Sequence, residues 1–185
     1  MANQSFHKRN LPHLYHNYGR YFITYCLNNS IQRHSCDKLL MRNKTFSSID
    51  NLLDCRNKGD SYLLIPEIAD CCKETIHYPD GKDYKLICYC IMPNHVHLVF
   101  ELLKSGKTVS KIMQSIKRIS AYRSNIHLKR SGTFWQDESY DRLIRDDKEL
   151  YFIIKYVLNN PVKAGLAIKW DEWRNTYCQT DYLVI

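Results

Sequence analysis

Two histidines separated by one residue, His95 and His97, follow Pro93-Asn94 between two apolar runs, residues 86–91 and 98–100. In a β-strand, residues i and i+2 point to the same face. Both imidazoles can therefore aim at one point while Val96 turns the other way into a core. Neutral imidazole is the commonest metal ligand, so one divalent cation fits between the two rings. Alone, the pair is also what two exposed strand histidines look like. Further along, Tyr156 and Asn160 are spaced i, i+4 and share a face if one helix carries both. An amide oxygen can serve as a third metal ligand, and a phenol can act as a nucleophile toward phosphorus. For Asn160 the alternative is capping of a helix that ends ahead of Pro161.

The elements that must position these groups follow from local pattern. Residues 21–27 (Tyr-Phe-Ile-Thr-Tyr-Cys-Leu) are aromatic and β-branched and predict a first strand. Pro66 suits the first turn of a helix whose apolar face is Ile68, Cys71, Cys72 and Ile76. Tyr78-Pro79-Asp80-Gly81 is a turn. Residues 84–92 and 95–102 read as two strands broken at Pro93, which cannot donate to a ladder. A long helix is expected over 109–128, with Val109, Ile112, Met113, Ile116 and either Ile119 or Ser120 buried. Phe134-Trp135-Gln136 and Leu143-Ile144-Arg145 are short apolar pieces. Asp146-Asp147 cap and charge the start of a last helix, expected to stop near Asn159 because the residue before proline avoids the α region.

The chain has 185 residues, 44% of them hydrophobic, and a net charge of +8 with a pI near 9.0. Its length suits one domain over 1–185, with a loop insertion at 31–60, where the sequence is polar and without clear period. The positive balance suggests a polyanionic partner, nucleic acid before anionic membrane. Lys117, Arg118 and Arg123 lie on the long helix, where no carboxylate balances them between Thr108 and Gly132. Those three, with Arg142 and Arg145, are the candidate phosphate contacts. Tyr122, Phe134, Trp135 and Tyr140 are candidate stacking platforms for exposed bases. The eight cysteines include no Cys-x-x-Cys pair. With no signal-like start and no run long enough to span a membrane, they are expected to be reduced thiols in a cytoplasmic protein.

Four stretches in this order, Met92-Pro93-Asn94-His95-Val96-His97-Leu98, Phe134-Trp135-Gln136, Tyr140-Asp141-Arg142-Leu143-Ile144-Arg145-Asp146 and Tyr156-Val157-Leu158-Asn159-Asn160-Pro161-Val162-Lys163-Ala164-Gly165-Leu166, resemble the REP-associated tyrosine transposases. These are bacterial single-tyrosine HUH proteins, related to the transposases of small insertion sequences that move as single strands. The resemblance runs from Tyr21 to about Trp173. It implies an α+β fold, a ferredoxin-like or palm-like antiparallel sheet with helices packed on it. It implies that His95, His97 and Asn160 bind Mg²⁺ or Mn²⁺ and that Tyr156 is the nucleophile. The implied partner is single-stranded or hairpin DNA, cut beside the hairpin through a 5′-phosphotyrosine intermediate, by a monomer or a homodimer. Two other readings remain open at this point. One is a domesticated hairpin-binding protein that no longer cuts. The other is a hydrolase of another class, although the large barrels that use His-x-His need about 250 residues.

Overall fold

A computed structural model describes residues 5–8, 12–15, 18–28, 30, 60–104 and 107–183. The insertion expected at 31–60 lies outside these residues apart from Asp60. Strands β1 (Ser5–Lys8) and β2 (Pro12–Tyr15) pair antiparallel in a separate two-stranded sheet. The main sheet has five strands: β3 (Arg20–Cys26), β4 (Tyr84–Ile91), β5 (His95–Leu102), β6 (Tyr140–Ile144) and β7 (Thr176–Cys178). They lie in the order β6-β3-β5-β4-β7, and every neighbouring pair is antiparallel.

Helix α1 (Pro66–His77) connects β3 to β4, and α2 (Val109–His127) connects β5 to β6. The path β3-α1-β4-β5-α2-β6, with β5 inserted between β3 and β4, is the split βαβ repeat of ferredoxin-like folds. Both crossover helices pack on one face. Ile68, Cys72 and Ile76 of α1 and Val109, Ile112, Met113 and Ile116 of α2 close over Tyr21, Ile23, Tyr25, Val96, Leu98 and Phe100. The next stripe position on α2 is Ser120, fully buried, whereas Ile119 is 37% exposed. Helix α3 (Asp147–Lys163) covers the other face. Its Leu150, Ile153, Ile154, Val157 and Leu158 pack on Phe22, Ile87, Cys88, Cys90 and Val99. The two clusters divide each strand by the two-residue side-chain period. A bulge between Leu86 and Cys88 resets that alternation in β4 and leaves both Ile87 and Cys88 on the α3 side.

Helix α3 does not end at Asn159. It continues through Pro161 to Lys163. A proline in a helix interior costs about 3 kcal/mol when it deletes a bond and clashes with the preceding turn. Here it stands in the last turn with its ring buried, and its carbonyl accepts from Leu166 N (2.8 Å). Gly165, at φ 71°, donates to Val162 O (3.0 Å). These two bonds form a Schellman motif, so the stop signal is Gly165 and not the proline. At the other end Asp146 caps the helix, its carboxylate accepting from Glu149 N at 2.7 Å. Six cysteines, at 26, 71, 72, 88, 90 and 178, are free thiols, five of them buried.

Candidate active site

The turn between β4 and β5 is fixed by the backbone. Met92 N donates to His95 O (2.9 Å), Leu27 N to Asn94 O (2.8 Å) and Leu63 N to Pro93 O (3.2 Å). His95 and His97 then leave on the α3 side of β5, both with no exposed surface. Their Nε2 atoms lie 3.1 Å apart and their ring centroids 4.7 Å apart. Buried imidazoles need partners for their remaining nitrogens. His95 Nδ1 donates to Asn94 Oδ1 at 2.7 Å, so in the neutral ring Nε2 carries the lone pair. His97 Nδ1 is 2.8 Å from Thr24 Oγ1, a hydroxyl that can donate or accept and so permits either tautomer. Thr24 stands directly opposite His97 in the β3–β5 register.

Continuation of α3 beyond Pro161 brings Asn160 to this point. Its amide nitrogen is 3.2 Å from His97 Nε2. Rotation of the amide by half a turn would present Oδ1 to the same point. One turn earlier, Tyr156 is half-buried with its ring centroid 5.8 Å from that of His97. Phe22 holds both, stacked on His97 (5.6 Å, 26°) and edge-on to Tyr156 (6.1 Å, 89°). His95, His97, Tyr156 and Asn160 therefore converge. Two donors held side by side on one cation at about 2.1 Å lie about 3 Å apart. The separations of 3.1 and 3.2 Å suit that arrangement. No group of three or more His, Cys, Asp and Glu side chains able to hold a metal occurs among the described residues, and Asn160 is the side chain that could add a third protein donor to the two imidazoles. Thr24, Asn94 and Phe22 are site residues that sequence reasoning missed. Asn94 adjoins His95, but nothing local marks Thr24 and Phe22, which the sheet register brings in.

The cationic candidates divide between the two faces. Lys117, Arg118 and Arg123 are on α2, across the sheet from the imidazoles. Lys117 Nζ donates to Asp137 O (2.9 Å), Ser139 Oγ (3.3 Å) and Gln136 O, and so ties down the loop before β6. Arg123 pairs with Glu74 of α1 at 2.6 Å. Arg118 is exposed and borders a cavity of about 410 Å³ between α2 and residues 132–139, which is lined by none of the four converging residues. Arg142 and Arg145 are instead on the α3 side. Arg142 pairs with Glu149, Nε to Oε1 at 2.8 Å, and Arg145 is exposed. Two of the aromatic stacking candidates are core residues. Phe134 and Trp135 are 2% and 4% exposed. Trp135 donates from Nε1 to Ser120 Oγ (2.9 Å) and packs edge-on against Tyr25 at 4.8 Å, so neither ring is available to a base. Tyr140 is half-buried and Tyr122 is 68% exposed.

The chain is similar to a Haemophilus influenzae protein provisionally named a REP-associated tyrosine transposase, with 28% identity over 130 residues, covering 64% of this chain and 72% of the relative. It is also similar to the REP-associated tyrosine transposase of Escherichia coli K12, with 21% identity over 92 residues, covering 50% and 53% of the two chains. A solved REP-associated tyrosine transposase bound to a REP hairpin shares the fold, with a TM-score of 0.57 and 16% identity over 86% of this chain and 76% of that one. No helix among the described residues is long and apolar enough to cross a membrane. The family model described as transposase, IS200-like, matches residues 60–160, which take in both histidines, Tyr156 and Asn160, and the chain belongs to that family.

Proposed function

We propose that the chain is a metal-dependent single-strand DNA endonuclease and strand transferase that acts beside DNA hairpins, with Tyr156 as the nucleophile. The observation that carries this reading is the position of Asn160 against His97 with Tyr156 one turn earlier on the same helix. The net charge of +8 and the hairpin held by a structural relative support DNA as the partner.

His95 and His97 through Nε2, and Asn160 through its amide oxygen, would hold Mg²⁺ or Mn²⁺. Mn²⁺ suits the two imidazoles, and Mg²⁺ suits the oxygens that DNA adds. When bound, such a cation supplies Lewis acidity to a non-bridging phosphate oxygen. Asn94 and Thr24 fix the two rings from behind, and Phe22 holds the phenol beside them. The Tyr156 phenol gives up its proton to solvent, and its oxygen forms a bond to phosphorus as the bond from phosphorus to the 3′-oxygen breaks. The 3′-oxygen leaves as a hydroxyl, and a 5′-phosphotyrosine remains. Attack by another 3′-hydroxyl reverses the step and joins new strands, so no nucleotide triphosphate is needed.

The test is incubation of a hairpin oligonucleotide carrying a single-stranded flank with the protein and Mn²⁺, followed by a denaturing gel. A protein–DNA adduct forms with the wild type and is absent in Tyr156→Phe. An adduct that persists in the variant overturns the assignment of the nucleophile. Binding without an adduct in either Mg²⁺ or Mn²⁺ leaves a hairpin-binding protein that does not cut.

A further inference from the structure

The buried side of α3 closes the core, but its opposite side has a composition that the fold does not use. Lys148, Phe152, Lys155, Asn159 and Lys163 follow one another at helical spacing and are all exposed. Phe152 leaves 56% of its surface in solvent, and Tyr151 beside it leaves 37%. The helix also begins with carboxylates, but they are engaged away from this stripe. Asp147 pairs with Arg20 at 2.5 Å. Glu149 accepts from Arg142 Nε at 2.8 Å and from Arg145 N at 2.8 Å. The stripe is therefore cationic and aromatic without a balancing acid. Lysine ammoniums already lie near aromatic rings, Lys155 at 5.9 Å from the Tyr151 centroid and Lys163 at 6.0 Å from that of Tyr156. Single exposed apolar residues need no explanation. Lysines flanking exposed aromatic rings on one helix face are the composition that binds single-stranded nucleic acid, with phosphates on the cations and bases on the rings.

We propose that this outward face of α3 is a track for single-stranded DNA that leads the strand to Tyr156. The proposal rests on the reading of Tyr156 as the nucleophile. Tyr156 lies between the stripe and Asn160 on the helix, so a strand on the stripe passes the phenol at its edge. Phe152 is one turn earlier, a rise of about 6 Å along the axis, and stacks a base close to the phosphate presented to Tyr156. Lys163 neutralises a phosphate on the far side of the phenol. Lys148 and Lys155 follow the backbone back toward Arg145. Duplex DNA, with its bases paired and stacked, offers nothing to Phe152 or Tyr151, so the face selects single strands.

The experiment is an anisotropy titration of fluorescein-labelled dT15 in EDTA, at several salt concentrations, beside a 15-base-pair duplex of the same label. Phe152→Ala weakens dT15 binding about tenfold and leaves duplex binding unchanged. The double variant Lys148→Gln/Lys155→Gln makes the slope of log affinity against log salt shallower by about 1.4 for dT15. All three substitutions are at exposed positions, and circular dichroism verifies the fold. Equal dT15 binding by wild type and variants overturns the proposal. So does a change in sedimentation from dimer to monomer in Phe152→Ala with dT15 affinity retained, which assigns the face to a second copy of the chain. EDTA removes cleavage from the measurement, so failure of the Tyr156 adduct test does not alter this result, nor does failure here alter that test.

Discussion

Replacement of Thr24 by valine isolates the support behind His97. Valine keeps the shape and the β-branching of threonine, so strand β3 and its packing stay as they are. The one thing lost is the contact of 2.8 Å between the hydroxyl and His97 Nδ1, at a position 4% exposed against a ring with no exposure. A buried polar atom left without its partner costs about 1–3 kcal/mol. For a chain of this size that lowers Tm by roughly 2–4 °C per kcal/mol. Loss of the group that orients a ligating imidazole also weakens metal binding about 10–100-fold. Calorimetric titration with Mn²⁺, together with thermal melts without metal, reads both effects. Thr24→Ser keeps the hydroxyl and retains Mn²⁺ affinity within about threefold. If Thr24→Val lowers Tm but binds Mn²⁺ like the wild type, the hydroxyl supports only the fold, and the account of how His97 is oriented is refuted.

Three further predictions concern the frame around the site. A Cβ at Gly19 would lie 2.6 Å from Leu143 Cδ1 and 2.9 Å from the Tyr21 hydroxyl oxygen, so Gly19→Ala displaces the ends of these two side chains and lowers stability by about 1 kcal/mol in urea denaturation. Ser120→Ala deprives the buried Trp135 indole N–H of its acceptor and costs a similar amount, about 1–3 kcal/mol, with a change in near-UV circular dichroism from the Trp135–Tyr25 pair. A hydrogen bond from Lys73 and the charge of Arg174 hold the Asp70 carboxyl below its ordinary range. A lowered carboxylate pKa stabilises above the unfolded value of about 3.9 and is lost as pH falls through the lower folded value. Asp70 is about half exposed, so Asp70→Asn costs at most about 1 kcal/mol at pH 7, and urea titrations show the gap closing as pH falls below about 4.

Strands β3, β4 and β5, the two crossover helices and the imidazole pair were legible in the sequence because each rests on local pattern, whereas β1, β2, β6 and β7 are too short to carry a period and were not read as strands. Residues 84–92 and 95–102 differ from β4 and β5 by a single residue, Met92. The end of α3 was misjudged because a proline is a strong local signal. The bonds that carry the helix past it depend on Gly165 and on burial of Asn160 and Pro161, which only the packed chain supplies. The unbalanced charge of α2 was likewise a local view. Glu74 of α1 answers Arg123, and backbone carbonyls of the loop before β6 answer Lys117. Phe134 and Trp135 read as platforms because their burial depends on α2 and β3 closing over them. Thr24 reaches His97 across 73 residues of chain through sheet register, and no spacing rule reveals such a partner.

The central claim is that the phenol beside the imidazoles, and no other of the 14 tyrosines, takes the DNA. Trypsin cleaves after Lys148, Lys155 and Lys163 and so separates Tyr151 from Tyr156. Mass spectrometry of the nuclease-trimmed, trypsin-digested adduct formed with Mn²⁺ should find the nucleotide on the peptide 156–163 alone, and none after His97→Ala. A nucleotide on the peptide 149–155 or on any other tyrosine, or an adduct that survives loss of His97, would contradict the account.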